Sequence, residues 1–238
     1  ILFSGEAMPI RQLHAWQSYY PDAMFVNLYG PTEITCNCTY HILDRAYSED
    51  EKLPIGIPFP NERVFLLDEE NHLIEPGSAG KTGELCVAGT TLALGYYRNA
   101  AATAKAFVPN PLQTDYPETI YRTGDLASYG EDGLLYFAGR KDFQIKRMGF
   151  RIEPGEIETA ANAIAGIKSS AVIYDDKSQR ILLIYEGSLK DTEAVRGLLS
   201  EKVPAYMRPD EVIRVRSMPY NANGKTDRAK LRSLYAGN

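Results

Sequence analysis

The sequence predicts a mixed architecture, α/β at its start and α+β at its end, with a larger first domain over residues 1–141 and a smaller second one over 142–238. Three observations carry this. A helix–strand–loop unit opens the chain, short strands cut by turn residues follow from about Leu53 to Gly139, and helical and strand patterns alternate again after Arg140. In the opening unit, Leu13, Trp16 and Tyr20 recur at helical spacing between Arg11 and Tyr20, and Pro21-Asp22 would stop the helix. The β-rich run Met24 to Tyr29 then ends at Gly30-Pro31. In the middle, Arg63 to Leu67, Glu84 to Ala88 and Leu134 to Phe137 read as strands of a small β-barrel or twisted sheet, interrupted by one helix around Ala100 to Phe107. After Arg140 come a helix over Glu156 to Ile164, strands over Ala171 to Tyr174 and Ile181 to Tyr185, and a helix over Thr192 to Lys202. A strand over Glu211 to Val215 and a last helix over Arg228 to Tyr235 complete a set long enough to bury its own core.

Composition narrows the function classes. With 44% hydrophobic and 24% charged residues the chain falls within ordinary globular usage, which argues against disorder and fibrous architectures. The 26 basic residues are outnumbered by 31 acidic ones and form no long block, so there is no electrostatic case for nucleic acid or an anionic membrane. No run approaches the roughly 18 apolar residues of a membrane span, so no membrane insertion is expected. Cys36, Cys38 and Cys86 make no even disulfide framework and, with His14, His41 and His72, no zinc spacing; a reducing cytoplasm is the simplest compartment. The opening Ile1-Leu2-Phe3-Ser4-Gly5 reads as an apolar strand entering a glycine turn without an initiator methionine, and predicts a natural N-terminal part ahead of it.

Four short segments carry candidate chemistry. Asn27-Leu28-Tyr29-Gly30-Pro31-Thr32-Glu33 puts an aromatic face, a hydroxyl and a carboxylate on a loop directly after a strand, where α/β sheets favour ligands. Tyr29 could stack on a base, Thr32 donate to a phosphate and Glu33 hold Mg²⁺, which takes hard oxygen ligands; a β-turn followed by a helix cap fits the same residues. Tyr121-Arg122-Thr123-Gly124-Asp125 sets a carboxylate after a glycine turn, able to accept both hydroxyls of a ribose or to serve as a plain turn Asp. At the composition change, Gly139-Arg140-Lys141-Asp142 offers Arg140 to the nucleotide and Asp142 as the start of a linker, or is a charged surface turn between domains. Near the end, Gly224-Lys225-Thr226 invites comparison with the phosphate-binding P-loop, but Pro219 stands where that loop needs a glycine. What remains is an Asn-Gly turn with Lys225 at its tip and Asp227 as a helix cap.

In order and spacing these stretches resemble the adenylate-forming superfamily, and within it the amino-acid adenylation domains of nonribosomal peptide synthetases and D-alanine-carrier-protein ligases. The matching residues are Ser4-Gly5-Glu6-Ala7, Asn27 to Glu33, Gly83-Glu84-Leu85 with Gly95-Tyr96-Tyr97, Tyr121 to Asp125, Gly139 through Glu158, and Asn221 to Arg228, essentially the whole chain. The resemblance implies the C-terminal part of a large adenylation domain with a β-barrel-like subdomain, followed by a small, mobile α+β lid domain. It implies ATP-dependent activation of an amino acid or small carboxylic acid as acyl-AMP, with Mg²⁺, and transfer to the phosphopantetheine thiol of a carrier protein. Tyr29 would then stack on adenine, Asn27 contact its amino edge, Thr32 meet the α-phosphate and Glu33 help hold Mg²⁺, with Gly30 in the same nucleotide loop. Asp125 would bind the ribose hydroxyls and Arg140 bridge ribose and phosphate. Asp142 would be the hinge, Lys225 the catalytic lysine, and Lys146 and Gly149 part of the loop brought up for thioester formation. Leu2, Ser4, Gly5, Leu28, Cys36 and Asn37 fall where the family lines its acyl pocket, although Leu2 and Leu28 equally suit a strand core.

Asp142-Phe143-Gln144-Ile145-Lys146 followed by Gly149-Phe150-Arg151-Ile152-Glu153 is more similar to carrier-dependent amino-acid activators than to acyl-CoA ligases. An acyl-CoA ligase of the same fold and a noncatalytic interaction module stand as the alternatives. Nothing in the sequence matches the family's Ser/Thr/Gly-rich phosphate loop or the acidic residue that holds a substrate amine, so the isolated chain is expected to adenylate poorly or not at all.

Overall fold

Runs of β-branched and aromatic residues build the first half of the chain into two sheets, and a glycine joins them. The structure is a computed structural model; it describes every residue except Gln144, Gly149, Asp176, Gly237 and Asn238, and only the backbone of Asp142, Lys146 and Arg151. Residues 1–8, 15–47 and 52–142 cluster as one compact unit, and residues 9–14, 48–51 and 143–238 as a second.

The first sheet holds β1 (Leu2–Ser4), β2 (Val26–Tyr29), β3 (Thr39–Ile42) and β4 (Ile57–Pro58) in that order, with α1 (Ile10–Tyr19) between the first two strands in sequence. β1 runs parallel to β2, and a parallel pair needs such a crossover; the remaining pairs are antiparallel. Register sets Leu2 beside Val26 and Ser4 beside Leu28. Strand alternation therefore puts Leu2, Ser4 and Leu28 on one face and Asn27 and Tyr29 on the other. Leu2 is 68% exposed.

The barrel-like subdomain takes the form of a six-stranded antiparallel sheet. It comprises β5 (Glu62–Leu67), β6 (Leu73–Ile74), β7 (Thr82–Gly89), β8 (Phe107–Pro109), β9 (Thr119–Tyr129) and β10 (Leu135–Arg140), in the order β10-β9-β7-β5-β6 with β8 also on β9. α2 (Ala100–Ala106) precedes β8. Phe107, expected inside that helix, instead opens β8 opposite Tyr121, because its ring packs on Tyr121 with centroids 5.0 Å apart. Val64, Leu66, Leu85, Val87, Tyr121, Ala127 and Leu135 form the core with Ile34 and Cys38 from the segment after β2, so that segment is clamped to the second sheet. The expected glycine turn before Asp125 is a correction: Gly124 lies inside β9 at φ +68°, and the register with β7 slips between Glu84 and Cys86. The glycine makes a β-bulge rather than a turn.

The second unit begins with a two-stranded hairpin, β11 (Ile145–Arg147) and β12 (Phe150–Ile152), followed by α3 (Pro154–Asn162). Then come β13 (Ile167–Asp175), β14 (Arg180–Gly187), α4 (Thr192–Ser200), β15 (Glu211–Val215) and α5 (Arg228–Tyr235). β14 lies between an antiparallel β13 and a parallel β15. It is apolar from Ile181 to Tyr185 because both of its faces are covered. On one face Ile157 and Ala161 of α3 and Val195 and Leu199 of α4 pack with Val172, Ile181, Leu183 and Tyr185. On the other, Leu231 of α5 packs with Ala171, Ile173 and Ile184. α3 starts at Pro154, two residues before the expected Glu156, since proline suits a first helical turn. No helix among the described residues is long and apolar enough to cross a membrane.

Gly56 exchanges backbone hydrogen bonds with Leu135 and so links the two sheets. Its φ is +87°, and a Cβ there would lie 1.9 Å from the Tyr40 carbonyl oxygen. Gly56→Ala is expected to cost at least about 2 kcal/mol and lower the melting temperature by roughly 5–10 °C, read by thermal unfolding. An unchanged melting curve would contradict the close approach.

Candidate active site

Tyr29 is the last residue of β2, and its hydroxyl donates to Asp125 Oδ2 on β9 at 2.5 Å. Arg140 ends β10 opposite Asp125, donating from Nη1 to Asp125 Oδ1 at 3.0 Å and to the Thr123 carbonyl at 3.2 Å. Each oxygen of this buried carboxylate thus carries a protein donor. The bulge holds it in place: the Thr123 hydroxyl donates to the Leu85 carbonyl at 2.8 Å and accepts the Asp125 N–H at 2.9 Å. A Cβ on Gly124 would come within 3.3 Å of Arg140 Nη2, so the absence of a side chain there gives the guanidinium room. Burial, then the charge of Asp125, pushes the Tyr29 hydroxyl well above its usual range, so it remains a donor at neutral pH.

A second buried carboxylate supports the first. Glu84 Oε2 accepts from Arg122 Nε at 3.0 Å and Nη2 at 2.7 Å, and from Lys141 Nζ at 3.3 Å; Oε1 accepts the Gly124 N–H at 3.3 Å. Burial alone would raise the Glu84 carboxyl, but the Arg122 hydrogen bonds and charge, with Lys141, outweigh it and hold the group below its ordinary 4.5. Glu33 sits in a short 3-10 turn, Thr32–Ile34, behind Pro31. Its Oε1 accepts the Tyr96 hydroxyl at 2.6 Å and its carbonyl the Ala93 N–H at 2.8 Å. Burial and then the bond to Glu33 raise Tyr96; burial and then Tyr96 and Glu33 raise Tyr121, so both phenols stay protonated beside the carboxylate. Carboxylate oxygens such as those of Glu33 are hard acceptors, the class of ligand atom a divalent cation such as Mg²⁺ takes.

A family model described as AMP-binding enzyme matches residues 1–97, the segment that holds Tyr29 and Glu33. Tyrocidine synthase 3 of Brevibacillus parabrevis is 37% identical across 97% of this chain. Residues 1–97 belong to the AMP-binding enzyme family. Vanchrobactin synthetase VabF of Vibrio anguillarum is 36% identical across 100% of it. The chain spans 4% of the first relative's length and 8% of the second's. Among solved structures, Klebsiella oxytoca NpsA in complex with 3-hydroxyanthranilyl-AMSN matches at a TM-score of 0.84 and 26% identity, over 98% of this chain and 47% of that one. A four-domain nonribosomal peptide synthetase bound to AMP and glycine matches at 0.81 and 33% identity, over 96% of this chain and 17% of that one.

The structure brings Tyr29, Asp125 and Arg140 into direct contact, with Glu33 in the turn that follows Tyr29. Gly30 has no room for a side chain, since a Cβ would lie 2.5 Å from Asn37 Cα, and the Cys38 N–H closes the loop on the Tyr29 carbonyl at 2.8 Å. Asn27 shares the Tyr29 face but spends one amide hydrogen on the Pro54 carbonyl at 2.8 Å. Thr32 is exposed. Of the pocket candidates, Ser4, Gly5 and Cys36 are exposed, Leu28 and Asn37 are half-buried, and the Asn37 amide donates to Cys36 Sγ at 3.4 Å. Lys225 is exposed in the second unit. The side chains of Asp142 and Lys146, and Gly149 altogether, lie outside the described residues.

Five residues of the site had no role in the sequence reading: Glu84, Tyr96, Tyr121, Arg122 and Lys141. All five lie in the stretches that carry the family resemblance, and for one of them there was a physical signal as well. Glu84 is an isolated carboxylate in the otherwise uncharged run Thr82 to Gly89, and such a residue in a buried strand needs a cation. Because its carboxyl is held below its ordinary 4.5, Glu84 contributes stability above that pH, and the contribution is lost as pH falls through the depressed value. Glu84→Gln is expected to destabilise the chain by roughly 2–4 kcal/mol at pH 7, with a smaller gap to wild type when measured at about pH 3. Denaturant midpoints at the two pH values check this, and a gap of equal size at both would contradict it.

Proposed function

We propose that this chain supplies the AMP-facing surface and the catalytic lysine of an enzyme that uses ATP to activate an amino acid or small carboxylic acid as acyl-AMP. The acyl group then passes to the phosphopantetheine thiol of a carrier protein. One observation carries the reading: a half-buried tyrosine and an arginine, each ending its strand, converge on a buried aspartate beside the bulge in β9, in a chain whose residues 1–97 match the AMP-binding enzyme family. The Tyr29 ring would face the base and Asp125 would share its oxygens with the ribose hydroxyls. Arg140, already fixed by Asp125 and the Thr123 carbonyl, would meet the phosphate side. Glu33 would hold Mg²⁺, which when bound neutralises phosphate charge. The amino-acid reading is supported by the neighbour that holds AMP and glycine. A cytoplasmic setting fits the free thiols of Cys36, Cys38 and Cys86, the latter two buried and each pushed up to about 12 by that burial.

In the proposed first step a carboxylate oxygen attacks the α-phosphorus and the bond to pyrophosphate breaks. Lys225 would supply the fixed positive charge for this step. The turn that carries it is closed from both sides. The Lys225 N–H donates to Asn221 Oδ1 at 3.0 Å, the Asn221 N–H donates to the Lys225 carbonyl at 2.8 Å, and Gly224 takes φ +76°. Turning of the second unit about Asp142 would then withdraw Lys225 and bring up the Lys146–Gly149 loop for attack of the thiol on the acyl carbonyl, releasing AMP.

In the full-length polypeptide carrying this chain, Lys225→Ala is expected to cut amino-acid-dependent ATP–pyrophosphate exchange about 10²–10³-fold while sparing transfer of supplied acyl-adenylate to the carrier thiol. Wild-type exchange by the variant would overturn the assignment. Transfer to free CoA in place of the carrier would identify the acceptor as an acyl-CoA ligase's.

A further inference from the structure

Arg228, the first residue of α5, stands three positions after Lys225 and forks onto Glu158 of α3. Nη1 donates to Oε1 at 2.7 Å and Nη2 to Oε2 at 2.8 Å. Nη1 also donates to the Val172 carbonyl at 3.1 Å, and the Val172 N–H donates to Glu158 Oε1 at 2.6 Å. One carboxylate, 14% exposed, therefore ties together a helix, the central part of β13 and the first turn of α5. Phe143, directly after Asp142, lays its ring 5.8 Å from the guanidinium carbon.

Holding α5 in place does not by itself call for this pair. The helix is already capped by Asp227, whose side chain accepts the Lys230 N–H at 2.9 Å, and seated by the fully buried Leu231. A buried ion pair also returns little net stability against the cost of desolvating it. What a two-pronged pair adds is orientation, because both the distance and the plane of the guanidinium are fixed. The Lys225 turn is coupled to that orientation by three positions' length of chain and by hydrogen bonds that close the segment on itself. The Asp227 N–H donates to the Pro219 carbonyl at 2.9 Å, Tyr220 bridges Thr226, and Asn221 closes the tip from both sides. On the other strand of the hairpin, the Met218 N–H donates to Glu186 Oε2 at 2.8 Å. The segment from Pro219 to Arg228 is thus a closed hairpin with the ammonium-bearing residue exposed at the tip and the fork at the base.

We propose that Glu158 and Arg228 are positioning residues for Lys225: the fork sets the azimuth of the hairpin and so where the ammonium group is delivered. This rests on the reading of Lys225 as the catalytic lysine. A displacement of about 1 Å at a catalytic group costs on the order of 10²-fold in rate. The pair acts only in the reaction that uses Lys225, and that separates it from a scaffold contact.

The test uses the full-length polypeptide carrying this chain. Glu158→Gln keeps the shape but removes the charge, and Arg228→Lys keeps the charge but removes the fork. Each is expected to lower ATP–pyrophosphate exchange about 10–100-fold, with transfer of supplied acyl-adenylate to the carrier thiol within about twofold of wild type. Combining Glu158→Gln with Lys225→Ala should lower exchange no further than Lys225→Ala alone, since residues acting as one unit are not additive. Arg228→Lys serves where Glu158→Gln melts within the assay range. Equal loss in both half-reactions, additive loss in the double variant, or wild-type exchange by both fork variants beside a depressed Lys225→Ala would overturn the positioning role alone. Undiminished exchange by Lys225→Ala would remove the reading of Lys225 and the fork proposal with it.

Discussion

The arrangement of the first unit depends on one left-handed residue, Gly124. Inside a long strand it forces a bulge, and its N–H turns to the Glu84 side chain rather than to the backbone of β7. A buried backbone donor needs a partner, and the carboxylate that answers it carries a charge which itself must be balanced. Arg122 and Lys141 provide that balance. Lys141 follows Arg140 directly, so neutralising Glu84 also fixes the end of β10 and helps hold the guanidinium that meets Asp125. One backbone irregularity connects three charged side chains to which the sequence reading gave no role: Glu84, Arg122 and Lys141.

Two buried carboxylates on neighbouring strands are consequently put to different uses. Glu84 is consumed by structure: two cations and a backbone N–H meet it, and it ends as a depressed acid. Asp125 meets a different set of partners, among them the Arg140 guanidinium, which it shares with the Thr123 carbonyl, and the Tyr29 phenol. A neutral hydroxyl is easier to rearrange than a cation, so this carboxylate has at least one partner that can shift without stripping a charge from it.

The second unit solves a different problem, that of holding an exposed lysine on a short turn. Its three-stranded sheet is covered on both faces, which makes a rigid plate from apolar residues alone. The hairpin that carries Lys225 has no core of its own and borrows rigidity from backbone hydrogen bonds and from the Glu158–Arg228 fork. Both units thus place buried charge pairs beside candidate polar residues and apolar packing through the bodies of their sheets.

Periodicity in the sequence determined element type along most of the chain. The helix at Arg228 to Tyr235, its Asp227 cap, the Asn-Gly turn and the strand at Glu211 to Val215 all follow from spacing and capping chemistry, which act within a few residues. Tyr29, Asp125 and Arg140 stand out as candidates in the sequence because their neighbours repeat a recognisable order, and the likeness to relatives runs through the same stretches. Only tertiary structure decided that Asp125 sits on a bulge, that Phe107 leaves its helix for a strand, and that Tyr96, Tyr121, Glu84 and Glu158 stand behind the motif residues. Each of those outcomes depends on partners 14 to 70 positions away: Tyr121 for Phe107, Glu33 for Tyr96, Arg122 for Glu84, Val172 and Arg228 for Glu158. Long-range pairing leaves no local trace in spacing, because the free energy that selects it arises only once burial has removed water from both partners.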